Sequence, residues 1–314
     1  MLDERDGHAI DAAKLYYNSR LSQAEVAARL GISRPTVSKL LQRAQERGFV
    51  TIVVHDPRER SDELVEKLKE RFSLVDARVV TTPAGGSPLR DLGSAGAALL
   101  EELVKDGQSV GISWGETMAS VGAHLRELPL EGVQVVQLKG GHSHTERSTK
   151  DAATLQAFAR AFNAETFMLP LPVIFDSAEA KEWVVKDRHI ASILQRGAAV
   201  DVAVFTAGAP APESLALNLG YLSPAETQMI VQRAVGDVCS RFYTATGEVA
   251  APEVDARTVG ITLEDLAARP VRVLVAGGTT KAQAIRVALE MGLATHLVID
   301  HLTAQRVLED SASV

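Results

Sequence analysis

Apolar residues recur through the first fifty positions with the period of a helix. Ala9, Ile10, Ala13, Tyr16 and Tyr17 stand at i, i+3, i+4 and i+7 within residues 7–19, which predicts an amphipathic helix. A second helix is expected from Ser22-Gln23-Ala24-Glu25, where the serine hydroxyl can take the Glu25 amide and the glutamate can reach back. Val26, Ala27 and Leu30 form its inner face, and Gly31 supplies the left-handed residue that stops it. Ser33 then caps a third helix, which tolerates Pro35 because first-turn amides have no intrahelical acceptor. Gly48 ends that helix, and residues 49–54 read as the strand of a winged variant.

The spacing of Val26, Ala27, Gly31, Ile32, Val37 and Leu40 is that of a helix-turn-helix, in which two helices cross over a short turn and need a small contact residue, a bend and interlocking apolar positions. With Val37, Leu40, Leu41 and Ala44 turned inward, Pro35, Thr36, Ser38, Lys39, Gln42 and Arg43 face out, and Ser33 and Arg34 sit at the amino end. That face suits a major-groove reader, with donors for base edges and flanking cations for phosphate. A solvated helix face, or one used for protein contacts, is the plainer alternative.

Residues 55–60 form a charged break containing Pro57, which divides the chain into residues 1–56 and 57–314. Residues 61–72 read as a helix with Leu64, Val65, Leu68 and Phe72 on one side. From residue 74 onward, strand-like apolar runs at 75–80, 109–112, 133–138, 166–169, 202–206, 272–276 and 296–299 alternate with helical stretches at 89–104, 117–126, 152–162, 282–291 and 302–308. Continuous apolar strands separated by helices predict an α/β domain with a mostly parallel sheet covered on both faces. Ligands of such sheets bind beyond the carboxyl ends of the strands.

Charge restricts where DNA could bind. The chain of 314 residues carries −7 overall, yet ten basic and eight acidic side chains fall within residues 1–60, so the remainder carries −9. Only the N-terminal segment can neutralise phosphates, which disfavours a protein that coats DNA along its whole surface. The acidic, polar start MLDERDGHAI and the lack of a long apolar run predict neither a leader nor a membrane span. The single cysteine, Cys239, fits a reducing compartment, and a cytoplasmic location is expected.

Three strand ends carry candidate chemistry. Gly111-Ile112-Ser113-Trp114-Gly115-Glu116-Thr117 turns through glycine into a helix whose free amides could hold phosphate. Ala276-Gly277-Gly278-Thr279-Thr280-Lys281 repeats the arrangement and adds hydroxyls and an ammonium group, and Leu138-Lys139-Gly140-Gly141 puts a lysine where a strand stops. Each could be an ordinary strand-to-helix turn, but two glycine turns plus Lys281 favour an anionic ligand. No GxxxxGK[ST] or GxGxxG string occurs, so no nucleotide cofactor is expected. His142 and His144 lack a third ligand at a sensible spacing, so no metal is expected either.

These segments resemble the SorC family of bacterial sugar-responsive regulators over nearly the whole chain. The resemblance rests on residues 21–50, GISWGETM (111–118), VQLKGG (136–141), LPLPVIF (169–175), residues 235–249 and residues 272–300. It implies an effector domain similar to sugar-phosphate isomerases and glucosamine-phosphate deaminases, a homodimer or homotetramer, and operator DNA as partner. It also implies repression of a carbohydrate or deoxyribonucleoside operon, relieved by a phosphosugar such as deoxyribose 5-phosphate. By position, Ser113, Gly115, Thr117, Gly277, Gly278, Thr279 and Lys281 would hold phosphate, Asp237 would lie near the sugar, and Lys139 could form a Schiff base with an open-chain aldehyde. The acid-containing turn and Thr-Asp-Glu string frequent in the family read here Thr244-Ala245-Thr246 and Ile299-Asp300-His301. Rival readings are an isomerase or aldolase with a DNA-binding appendage, and an architectural DNA protein.

Overall fold

The computed structural model describes residues 3–50, 62–82, 86–141, 143–146 and 148–309, and the chain divides into two compact units, Met1–Asp56 and Pro57–Val314. The first is helical among the described residues, and the second alternates strands and helices.

In the first unit, α1 (Glu4–Ala13), α2 (Gln23–Leu30) and α3 (Arg34–Glu46) close around Ala9, Ala12, Val26, Val37, Leu41 and Ala44. The α2 capping box forms as expected, Gly31 takes a left-handed φ of 68°, and Ser33 caps α3. The first helix begins earlier than its apolar spacing suggests, because Asp3 and Asp6 make a second capping box at its start. Beyond Ala13 it continues as one π-helical stretch, Lys14–Asn18. Of the expected wing strand, Phe49 and Val50 are irregular but partly buried against the core, and residues 51–54 lie outside the described residues.

In the second unit, α4 (Asp62–Phe72) leads into β1 (Asp76–Val80), then α5 (Leu89–Leu103), β2 (Ser109–Ile112), α6 (Glu116–His124), β3 (Gln134–Gln137), α7 (Asp151–Ala161) and β4 (Glu165–Phe167). The helices α8 (Ala178–Val184) and α9 (Arg188–Ala198) precede β5 (Val202–Phe205). Three short strands, β6 (Ala207–Gly208), β7 (Gly236–Val238) and β8 (Arg241–Tyr243), surround α10 (Pro224–Arg233), and α11 (Pro252–Ala256) and α12 (Leu263–Ala267) follow. The chain closes with β9 (Val271–Val275), α13 (Ala282–Glu290), β10 (His296–Asp300) and α14 (His301–Leu308).

The seven expected strands form one sheet in the order β1-β10-β9-β5-β2-β3-β4, and every neighbouring pair is parallel. Along β5 the side chains alternate between two cores. Val202 and Val204 pack with Met118 of α6 and Leu155 of α7, whereas Ala203 and Phe205 pack with Leu68 of α4 and Ile285 of α13. The strand order reverses direction between β2 and β5: β2 leads outward to β3 and β4, and β5 leads outward to β9 and β10. The crossover helices therefore lie on opposite faces, leaving a crevice at the carboxyl ends of β2 and β5. A third core, with Trp114, Ile174, Tyr221, Ile230 and Phe242, covers part of that edge. The small antiparallel sheet β6-β7-β8 extends from β5 and carries Asp237 into the same region.

Candidate functional site

Parallel pairing brings the three expected strand ends together. Ser113 lies just past β2, its amide bonded to Val204 O at 2.9 Å, so it stands beside the end of β5. Among the described residues, the buried hydroxyls of Ser113 and Thr206 have no hydrogen-bond partner. Helix α6 starts at Gly115 with φ 126°, a conformation open to glycine, and no side chain caps its first amides. Gly278, with φ 95°, plays the corresponding part before Thr279 and Lys281, and a Cβ at either glycine would meet nothing within 4 Å. Thr117 is buried on the first turn of α6. Both turns thus leave open space beside their glycine Cα atoms, on helices belonging to opposite faces of the sheet. Burial pushes the Lys281 ammonium below the ordinary lysine range, opposed by the Asp237 carboxylate.

Gly277 is required for a different reason: a Cβ would stand 2.4 Å from Asp300 Oδ2. The Asp300 carboxylate accepts the Gly278 amide at 2.8 Å, the Thr303 amide at 3.1 Å and the Thr303 hydroxyl at 2.6 Å. It both caps α14 and anchors the glycine turn. Sequence reasoning recorded Asp300 only as part of a divergent string. Its role depends on β9 and β10 being adjacent, which no local signal shows.

Lys139 leaves β3 into the interior, only 6% exposed. Its Nζ lies 3.6 Å from the centre of the Trp114 ring and donates to Ser240 Oγ at 3.1 Å. Trp114 is held by an Nε1 bond to Gly140 O at 2.8 Å, and Gln137 bonds Lys139 O at 2.9 Å and receives the Leu169 amide at 3.1 Å. Burial drives the Lys139 amine below its usual range, with the nearby Cys239 and Asp237 pulling the other way. Burial raises the Asp237 carboxyl, against the opposing influence of Lys139, the Ser240 amide and Lys281. The site therefore holds a buried amine and a buried acid side by side. Trp114, Thr206 and Ser240 are not legible as site residues, since a ring stacked on Lys139 from the end of another strand and a hydroxyl 101 positions away leave no periodic trace.

His142 lies outside the described residues, and His144 packs edge-on against Tyr221 with ring centres 4.7 Å apart.

On the N-terminal unit Ser33, Arg34, Pro35, Thr36, Ser38, Lys39 and Gln42 are exposed, as expected for an outward face. Gln42 donates to Glu46 at 2.8 Å. Arg43 departs from the expectation of a free outward cation. Its guanidinium bonds Asp6 Oδ1 at 2.9 Å and Asp3 Oδ2 at 2.8 Å, while Arg47 bonds Asp6 Oδ2 at 2.9 Å. The helical period assigned Arg43 to the outer face of α3 but could not register that the acidic cap of α1 crosses there. Burial would raise the Asp6 carboxyl, but hydrogen bonds from Arg47, the Asp3 amide and Arg43 outweigh it and hold Asp6 below the usual carboxylate range.

Among the described residues no helix is long and apolar enough to cross a membrane. A sugar-binding domain family model matches residues 56–309, and the MarR family model matches residues 13–61. The chain is 44% identical to the deoxyribonucleoside regulator of Bacillus subtilis, over 98% of this chain and 99% of that protein. It is 29% identical to the sorbitol operon regulator of Klebsiella pneumoniae, over 96% and 97%, and 32% identical to the transcriptional regulator LsrR of Klebsiella pneumoniae subsp. pneumoniae, over 93% and 90%. The full-length sorbitol operon regulator SorC from Klebsiella pneumoniae superposes with a TM-score of 0.73 at 26% identity, covering 98% of this chain and all of that one. A DeoR family transcriptional regulator from Listeria monocytogenes gives a TM-score of 0.72 at 27% identity, covering 79% and 99%. These relatives are regulators, so the enzymatic reading yields to a regulatory one. The chain belongs to the SorC family of transcriptional regulators, with a helix-turn-helix for DNA followed by a sugar-binding domain.

Proposed function

We propose that this regulator is a cytoplasmic repressor of a carbohydrate or deoxyribonucleoside catabolic operon, released from its operator by 2-deoxyribose 5-phosphate, and that it works as a homodimer or homotetramer. The observation that carries the reading is the buried Lys139 amine, set between Trp114 and Ser240 beside two uncapped helix starts. An open-chain phosphosugar offers both complements, an aldehyde for the amine and a phosphate for the amides of Gly115, Thr117 and Thr279 and the Lys281 ammonium, with Gly277 and Gly278 shaping the turn. Ser113 and Thr206 have unused hydroxyls for the remaining polar atoms. The deoxyribonucleoside regulator of Bacillus subtilis supports deoxyribose over other sugars.

The Lys139 nitrogen attacks the aldehyde carbon and water departs, leaving an imine. Burial favours this, since it shifts the amine toward the neutral, nucleophilic form. Asp237 faces the sugar. On the other unit, Arg34, Thr36, Ser38 and Gln42 read base edges, while Ser33, Pro35 and Lys39 set the helix against the backbone. Release requires the phosphosugar to bind the DNA-free arrangement more tightly than the DNA-bound one, because equal affinity shifts nothing.

Titrating operator-bound protein with 2-deoxyribose 5-phosphate in a mobility-shift assay is expected to free the DNA, while unphosphorylated deoxyribose does not. Borohydride reduction in parallel should trap the sugar on Lys139, read by peptide mass. Complexes that survive every phosphosugar offered would refute the reading. Release without an adduct would remove only the covalent step.

A further inference from the structure

The strands β7 and β8 are joined by Cys239 and Ser240 alone, with Val238 paired to Arg241. Both turn residues adopt left-handed backbone, at φ 52° and 62°. Two-residue hairpins of this hand ordinarily use Asn-Gly, because a Cβ is disfavoured there. Here the pair carries side chains and is nearly sealed from solvent, at 2% and 1% exposure. Backbone held in so unfavourable a region persists only where its surroundings over-determine it, and such positions cluster at functional sites.

The surroundings are the two reactive groups. The Ser240 amide donates to Asp237 Oδ2 at 3.3 Å, and its hydroxyl accepts from Lys139 Nζ at 3.1 Å. One residue touches the acid with its backbone and the amine with its side chain. Gly208, opposite Asp237 in register, leaves the carboxyl its room, since a Cβ there would stand 2.1 Å from Oδ1.

We propose that Ser240 is the positioning residue of the imine step and Asp237 its proton donor, with the strained Cys239-Ser240 turn setting both. The inference rests on the imine reading of Lys139. The neutral Nζ adds its lone pair to the aldehyde carbon, and a proton passes from nitrogen to the new alkoxide to give a carbinolamine. The Asp237 carboxyl gives its proton to the carbinolamine hydroxyl, the carbon–oxygen bond breaks, water leaves and the nitrogen lone pair closes the C=N bond. Asp237 is left as the carboxylate beside the iminium, so charge and atoms balance. Burial raises the acid and lowers the amine, shifting each toward the form this sequence needs.

The test uses the full chain, 2-deoxyribose 5-phosphate with borohydride trapping over time, and 2-deoxyribitol 5-phosphate, which has no aldehyde, as a binding control. Ser240→Gly relaxes the turn but takes the hydroxyl acceptor from the buried Lys139 amine, so the variant is expected to melt at or a few degrees below the wild-type temperature and to trap about tenfold more slowly. Its thermal shift with the alditol phosphate should be unchanged. Asp237→Asn should slow trapping by about a hundredfold or more and flatten its dependence on pH, since the proton donor is gone. A purely structural role for the turn would weaken the thermal shift with the alditol phosphate along with trapping. Trapping at the wild-type rate in Ser240→Gly, or a loss shared equally by the alditol phosphate, overturns the proposal. No adduct in the wild-type chain sinks the imine reading and this inference with it.

Discussion

Replacing Asp300 with alanine tests whether the Gly277-Gly278 turn is held from beneath. The carboxylate makes three hydrogen bonds, to the Gly278 amide, the Thr303 amide and the Thr303 hydroxyl. Losing the cap of α14 should cost about 1 kcal/mol. Leaving the half-buried Gly278 amide without its acceptor adds about 1–3 kcal/mol, for a total of about 2–4 kcal/mol. In a unit of this size each kcal/mol moves the melting temperature by about 2–4 °C, so a fall on the order of 10 °C is expected. The glycine turn should also lose its set, reducing the thermal shift produced by 2-deoxyribose 5-phosphate. Thr303→Val separates the two effects, because it deletes one bond to Asp300, worth about 1 kcal/mol, and leaves Gly278 anchored. Scanning calorimetry with and without phosphosugar reads all three proteins. An Asp300→Ala variant that melts within about 2 °C of wild type and keeps its full ligand shift would refute the argument.

On DNA, Arg34→Ala should weaken binding by about 1–3 kcal/mol and relax preference at one base position, measured by anisotropy on a set of singly altered operators; a uniform loss on all sequences would remove Arg34 from base readout. Lys39→Ala should lower the slope of log affinity against log salt by about one, whereas Arg43→Ala, already paired with Asp3 and Asp6, should leave that slope unchanged and lower the stability of the N-terminal unit. An equal fall in slope for both variants would show that Arg43 does reach phosphate. Because burial holds Lys139 below the ordinary value of 10.5, the unfolded chain binds more protons between the lowered value and 10.5, and stability rises with pH across that window. Lys139→Met should therefore stabilise the ligand-free protein most at and below neutrality and flatten the alkaline rise in denaturant curves; an unaltered rise would assign it to other groups.

All seven strands of the parallel sheet were visible as apolar runs, the inner ones because strands buried on both faces need no alternation. The bounds of α2 and α3 were visible because Ser22, Gly31 and Ser33 act on their immediate neighbours. The sheet β6-β7-β8 was not, since strands of two or three residues are too short to establish a period. The site divides the same way. Gly115, Gly278 and Lys281 announce themselves through local turn chemistry, and Asp237 came only from family resemblance. Ser240, Trp114 and Asp300 gain their roles from neighbours brought close by the fold, and the Arg43 pairing depends on how α1 crosses α3.

The placement of the two ligand-facing helix starts has a mechanical outcome. Helix α6 rests on α5 and α7 above the sheet, and α13 rests on α14 below it, where α14 also meets α4. Under the proposed binding mode an anion held by both turns acts as a rivet through the strand layer, tying the helices of one face to those of the other.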